Sequence, residues 1–338
     1  MINIVYRLKA PKFFEESIDD IELDDVIVRP KYLSICQADQ RYYQGSRPPK
    51  ILSQKLPMAL IHEGVGEVVH DGNGDFKVGD NVVMIPNTPF GDDRYKANYS
   101  KSSKFRGSGF DGFTSELISL KSDRLVKIPD NFNLKVSSFI ELISVAYQGI
   151  SKFFELKCTP VDVLGVWGDG NLGYITSLLL KILCPDSKII VFGKHLENLN
   201  LFSFADKTYM IHHIPDDLSV DHCFECVGSA SSQSAINQMI DIINPQGTIN
   251  LFGVSEYPIP INTRMILEKG LTLQGNSRSE REDFEEVVNL LNSHPQIFNF
   301  LSRLITNTYI IKSINDLRDA FDGDYVSKFG KTILKWEI

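Results

Sequence analysis

The chain has 338 residues, 43% of them hydrophobic and 23% charged, and carries a net charge of −8. That length predicts two domains, and that balance belongs to a folded chain rather than a disordered one. The acidic excess excludes non-specific nucleic-acid binding as the main activity, yet leaves room for a local basic pocket holding a small anion.

No apolar run reaches the roughly 18–20 residues that span a bilayer. Met1 to Lys12 read as strand and turn, with no basic start leading into an apolar signal core. The five cysteines, Cys36, Cys158, Cys184, Cys223 and Cys226, are odd in number and scattered. This argues against a disulfide framework and for a reducing cytoplasm.

Val26 to Cys36 is a strand-like run of β-branched and apolar residues, and Gly64 to His70 is another. A turn at Asp71-Gly72-Asn73-Gly74 follows, and Val78-Gly79-Asp80 turns into Asn81 to Pro86. Short strands at this spacing predict a barrel-like or sandwich module. Residues 87–110 are polar and predict a long functional loop, after which Asp111 to Leu120 resumes strand character. The period then changes. Ser137 to Phe154 has helical spacing, Val161 to Trp167 is an apolar strand, and Leu172 to Leu183 is a helix closed by Pro185. A strand at Lys188 to Phe192, a helix at 196–204, a strand ending near Val227, a helix at 231–243 and strands at 247–253 and 271–276 follow. This alternation predicts a parallel, doubly wound sheet. A helix at 281–293 and a last strand, Gly330 to Trp336, return the chain to the first module. There is no internal repeat.

Gly168-Asp169-Gly170-Asn171-Leu172-Gly173 fits G-x-G-x-x-G, directly after an apolar strand and at the opening of a helix. In that context Gly168 makes the tight turn, Gly170 admits a pyrophosphate to the backbone, and Gly173 packs helix on strand. The N–H groups of Asn171, Leu172 and their neighbours then face the phosphates. A ribose-binding acid belongs about 20 residues further on, but Gly193 stands there and Lys194 follows it. A lysine contact to a 2′-phosphate is worth about 1.5–3 kcal/mol, roughly 10- to 100-fold, so NADP is expected over NAD.

Cys36, His62, Glu63 and Glu141 offer one thiolate, one imidazole and two carboxylates, suitable zinc donors. Their spacing matches no short finger motif, and each alone also reads as a buried thiol, a hydrogen-bonded imidazole or a surface acid. Ile61-His62-Glu63-Gly64-Val65-Gly66-Glu67-Val68-Val69, then Val78-Gly79-Asp80-Asn81-Val82-Val83, resembles the G-H-E-x-x-G-x-V…G-D-x-V signature of zinc-containing medium-chain dehydrogenases/reductases. Cys36-Gln37-Ala38-Asp39 resembles that family's C-x-x-D. Phe139-Ile140-Glu141-Leu142-Ile143-Ser144-Val145 resembles the E-P-L-S-V segment of its polyol branch, and Phe224 to Gly228 its late Rossmann strand. Ile61 replaces the usual glycine, Leu142 the usual proline, and Ala38 a proton-relaying Ser or Thr. The loop 87–110 lacks the cysteines of the family's structural zinc, and Cys223 and Cys226 read as core residues.

Gln40 to Arg47, Leu56 to Leu60 and Gly275 to Ser279 resemble more narrowly the ribulose-5-phosphate reductases of teichoic-acid and capsule pathways. The resemblance implies an α/β chain with a GroES-like β-rich catalytic domain, residues 1–145 and 279–338, and a Rossmann domain, residues 146–278. It implies zinc on Cys36, His62 and Glu63 or Glu141, with NADPH reducing the C2 carbonyl of ribulose 5-phosphate. Cys36, His62 and Glu63 would be catalytic, one glutamate acting through water. Arg41, Tyr42, Arg47 and Arg278 are candidate substrate contacts, since arginine's fork suits phosphate. Lys50, Lys104 and Arg106 are further cations within reach of the same segments. A homodimer or higher homo-oligomer and a cytidylyltransferase taking the product are the implied partners. Two alternatives are an NAD-dependent zinc dehydrogenase of unphosphorylated polyols, and a zinc-free relative that kept the fold as a binding protein.

Overall fold

The computed structural model describes residues 1–90, 94–157, 159–326 and 329–338. The chain forms two compact units, Met1–Ser144 with Arg278–Ile338, and Val145–Ser277.

The first unit is β-rich. Its main sheet runs Leu125–Lys127, Asn81–Met84, Glu63–Asp71, Val26–Ser34, Lys331–Trp336, Ile305–Ile311, with Ile118–Leu120 also paired to Val26–Ser34. The C-terminal strand lies antiparallel to Val26–Ser34 and parallel to Ile305–Ile311, so the end of the chain completes the sheet begun by its start. A smaller sheet orders Phe13–Asp20, Ile2–Ala10 and Met58–Ala59. Leu8, Val28, Leu33, Val68 and Leu334 from these strands, with Leu60 and Phe113 from the connections, close the core.

In the second unit six strands lie parallel in the order Lys207–Met210, Lys188–Gly193, Val163–Trp167, His222–Glu225, Thr248–Leu251, Thr272–Gly275. This is the doubly wound sheet that strand–helix alternation predicts, with helices Asn171–Leu183 and Ser232–Ile242 as crossovers. Trp167 stacks on Phe192 with centroids 4.0 Å apart, and Cys223, Met239 and Ile249 pack in the same cluster.

Three local expectations are corrected. The helix placed at 196–204 is only Leu196–Leu199, and Phe202 beyond it turns inward to pack edge-on against Tyr174. Strand character over 111–120 is limited to Ile118–Leu120. Gly112 and Phe113 instead bond the carbonyls of Ala59, Leu60 and Ile61. Within 87–110, Asn87–Thr88 pairs with Lys104–Phe105; residues 91–93 lie outside the described residues. Cys36, Cys184, Cys223 and Cys226 form no disulfide, and Cys158 lies outside the described residues. Among those residues no helix is long and apolar enough to cross a membrane.

Candidate active site

Cys36 follows the strand Val26–Ser34 and caps the helix Gln37–Tyr43. Fully buried Asp39, in that helix's first turn, ties the local structure together. One carboxylate oxygen accepts the Cys36 N–H at 3.1 Å. The other accepts the Ile61 N–H at 3.0 Å and lies 3.4 Å from His62 Nδ1. A carboxylate beside Nδ1 fixes the ring and leaves Nε2 as the donor atom for a metal.

Ile61 has φ +67°, which explains why glycine is usual there. A β-branched residue in the left-handed region costs about 1–3 kcal/mol and persists only where its surroundings hold it. Here they do: Ile61 donates to Asp39, and its carbonyl accepts the Phe113 N–H at 2.8 Å.

Donor atoms of Cys36, His62 and Glu63 lie within 4.8 Å of one another, His62 and Glu63 being buried. A thiolate, an imidazole and a carboxylate balance a divalent cation and leave tetrahedral zinc one open position, so the residues fit the ion. Burial works against the His62 cation, but Asp39 and then Cys36 more than offset it and raise its pKa well above the ordinary value. Glu141, at the start of the helix Ile140–Leu156, falls outside this donor group. Its carboxyl is pushed up to about 7, by burial first, with His62 opposing and Glu63 reinforcing the shift.

The candidate phosphate cations separate clearly. The Arg278 guanidinium lies 5.2 Å over the Phe105 ring, and Phe105 in turn packs 5.4 Å from the His62 ring. Burial alone lowers the Arg278 pKa, and no carboxylate among the described residues pairs with it. Its backbone is left-handed, φ +60°. Arg41 is half-buried on the helix that Cys36 caps. Tyr42 is buried, with Arg47 4.9 Å and Lys55 5.9 Å over its ring, so it packs beneath two cations. Lys50 is exposed on the helix Pro49–Lys55. Lys104 covers Phe90 and Phe110, each at 4.7 Å. Arg106 is committed to the carbonyls of Asp111 and Ser119.

In the second unit the loop from Gly168 to Gly173 joins the strand Val163–Trp167 to the helix Asn171–Leu183, which Gly170 caps. A Cβ on Gly173 would meet the Gly168 carbonyl oxygen, which is why that position needs glycine. A cavity of about 320 Å³ opens here, its lining including Gly168, Asp169, Gly170, Gly193, Lys194 and Gln238. Asn171 and Leu172 lie just inside the helix. No acid occupies position 193, but the space is not free of carboxylate: the Asp169 side chain lies against Gly193.

Residues 22–130 match the alcohol dehydrogenase GroES-like domain, and residues 180–293 match the zinc-binding dehydrogenase domain. Ribulose-5-phosphate reductase 1 of Staphylococcus aureus is 53% identical over 99% of both chains. The chain belongs to the zinc-containing medium-chain dehydrogenase/reductase family. Ribulose-5-phosphate reductase of Bacillus spizizenii is 49% identical over 100% of both chains. The crystal structure of S. aureus TarJ in complex with NADPH superposes with a TM-score of 0.91, at 49% identity over 100% of both chains.

Sequence reasoning missed one buried charge of this dehydrogenase. Lys331, on the C-terminal strand, donates to Glu63 Oε1 at 2.9 Å, lies 2.7 Å from Oε2, and donates to the Ile35 carbonyl at 2.9 Å. Burial opposes its charge, but Glu63 and Cys36 hold its pKa above the ordinary value. No motif joins residues 268 positions apart; only their unusual burial would have singled out the lysine. Lys331→Met leaves Glu63 charged and unpaired in the metal-free protein, at an expected cost of about 3–5 kcal/mol. Urea unfolding of zinc-free protein measures this. A loss below about 1 kcal/mol would show that Glu63 takes up a proton instead.

Proposed function

We propose that this chain reduces D-ribulose 5-phosphate to D-ribitol 5-phosphate with NADPH, using zinc held by Cys36, His62 and Glu63. The observation that carries the reading is the Arg278 guanidinium. It is half-buried, without a carboxylate partner among the described residues, and separated from His62 by a single ring, Phe105. A desolvated cation beside a candidate metal centre suits a substrate that is both a carbonyl compound and an anion. The full-length relatives named ribulose-5-phosphate reductase support the same reading.

Ribulose 5-phosphate suits such a site chemically. Its O5 is esterified, so C2 cannot close a furanose ring and the ketone stays open-chain. Bound zinc and NADPH would supply Lewis-acid polarisation of that carbonyl and a hydride, and one proton from solvent completes the alcohol. Asp39 orients His62 and secures the Cys36 backbone, and Lys331 holds Glu63. Glu141 is a further buried carboxyl beside these residues, its pKa pushed up to about 7 by burial first. Ala38 has no hydroxyl to relay a proton. The decisive assay compares ribulose 5-phosphate with free ribulose and sorbitol, using both nucleotides. Equal turnover of sorbitol with NADH would replace this reading by the polyol alternative.

Lys194 lines the nucleotide cavity and is exposed. Lys194→Ala should raise the KM for NADPH about 10- to 100-fold more than that for NADH. Equal effects would show that the lysine does not read the 2′-phosphate. The proposed setting is cytoplasmic, with the chain as a homodimer or higher homo-oligomer. A cytidylyltransferase would consume ribitol 5-phosphate to make CDP-ribitol for teichoic acid or capsule. Co-purification and analytical ultracentrifugation test these two associations.

A further inference from the structure

The nucleotide cavity holds an ionisable pair, Asp169 and His195, that the reading above does not use. Asp169 Oδ2 accepts the Lys194 N–H at 2.7 Å and the His195 N–H at 2.6 Å, and lies 3.1 Å from His195 Nδ1. A Cβ at Gly193 would stand 2.7 Å from Asp169 Cβ and 2.8 Å from Oδ2. The aspartate of the glycine loop therefore fills the space in which a ribose-binding acid at position 193 would have to stand. Its charge is turned inward onto the two backbone N–H groups and the imidazole.

This arrangement decides the tautomer of His195. Facing a carboxylate, Nδ1 carries the proton, so Nε2 is left without a protein partner among the described residues. The ring is 54% exposed and lines the cavity beside Lys194, whereas Asp169 is only 13% exposed. A neutral imidazole would offer Nε2 only as an acceptor, which a phosphate does not need. A protonated one would offer a charged donor toward the cavity.

We propose that His195, held by Asp169, is the second cationic residue that reads the 2′-phosphate of NADPH, acting together with Lys194. The assignment rests on the NADPH reading above and adds to it a residue and a mechanism. Lys194 alone would be a mobile point charge. Asp169 fixes the backbone that carries both cations and orients the ring, so the clamp is preorganised. Glu197 follows on the same segment, and His212 and His213 follow Ile211, which lines the cavity. The cavity lining also includes Ser231, Ser234 and Gln238, all uncharged.

The test is direct nucleotide binding to the zinc-loaded enzyme, followed by fluorescence at pH 6 and pH 8. His195→Gln should weaken NADPH about 10- to 100-fold at pH 6, less at pH 8, and leave NADH within about 2-fold. Asp169→Asn keeps an acceptor for the backbone N–H groups but removes the charge. By loosening the ring it should weaken NADPH more than NADH, a selective loss that a merely structural aspartate would not produce. If His195→Gln retains the wild-type preference for NADPH and its pH dependence, the proposal is overturned while the NADPH reading stands. If wild-type protein binds both nucleotides equally at pH 6, nothing reads the 2′-phosphate, and both are overturned.

Discussion

Cys36→Ala and His62→Ala should each release the metal and lower ribulose 5-phosphate reduction by roughly 10³- to 10⁴-fold, the loss of a Lewis acid worth several kcal/mol. Three protein donors leave one position open on a tetrahedral ion, and removing one of them exposes a buried half-site to water. Wild-type protein should contain about one zinc per chain, and both variants close to none. NADPH affinity should change by no more than about 2-fold, because the nucleotide cavity is lined only by residues of the other compact unit. Glu141→Gln should behave differently. Its carboxyl lies outside the donor group, so zinc should be retained with affinity reduced about 10- to 100-fold, as for a group that supports ligands rather than binding directly. Two zinc ions per wild-type chain, or full zinc content in His62→Ala, would overturn the assignment.

The parts of this protein that are legible in its sequence are those governed by local periodicity. The run Val163–Trp167, the glycine loop and the helix Asn171–Leu183 follow one another as a strand–turn–helix, and each is specified by neighbours in sequence. Lys207–Met210 escaped notice because it is a four-residue edge strand, half exposed, with no alternation to detect. The helix Thr263–Lys269 buries none of its residues fully and so has no apolar stripe. In the site, the family motifs bring out Cys36, His62 and Glu63, but motif spacing is blind to partners that arrive through the fold. Lys331 reaches Glu63 from the last strand. Asp169 occupies the space beside Gly193 from a loop 24 residues earlier, so an acid missing from one position of the sequence was not missing from the pocket. Ile61 shows the converse: the departure from glycine is visible in the sequence, but only the backbone shows that the isoleucine keeps the glycine-like conformation.

Arg278→Ala should lower kcat/KM for ribulose 5-phosphate by roughly 30- to several-thousand-fold, from the loss of about 2–5 kcal/mol of charge-assisted contact in a desolvated site. Two features make Arg278 the strongest of the candidate cations. It is buried enough for desolvation to lower its pKa with no carboxylate among the described residues to compensate, a state a protein sustains more readily when an anion is its usual partner. Its position is also fixed, by the face of Phe105 and by a left-handed backbone at the residue itself. Arg278→Lys should recover only part of the loss, because an ammonium keeps the charge but not the planar fork. Arg41→Ala should act in the same direction, since Arg41 rides on the short helix that Cys36 caps. Turnover of free ribulose, which has no phosphate to lose, should be nearly unchanged in all three variants, and zinc content should stay at the wild-type value. A parallel fall for both substrates would instead make these arginines supports of the Phe105–His62 packing. The phosphate would then have to be sought at Arg47 and Lys55, the two cations over the ring of Tyr42.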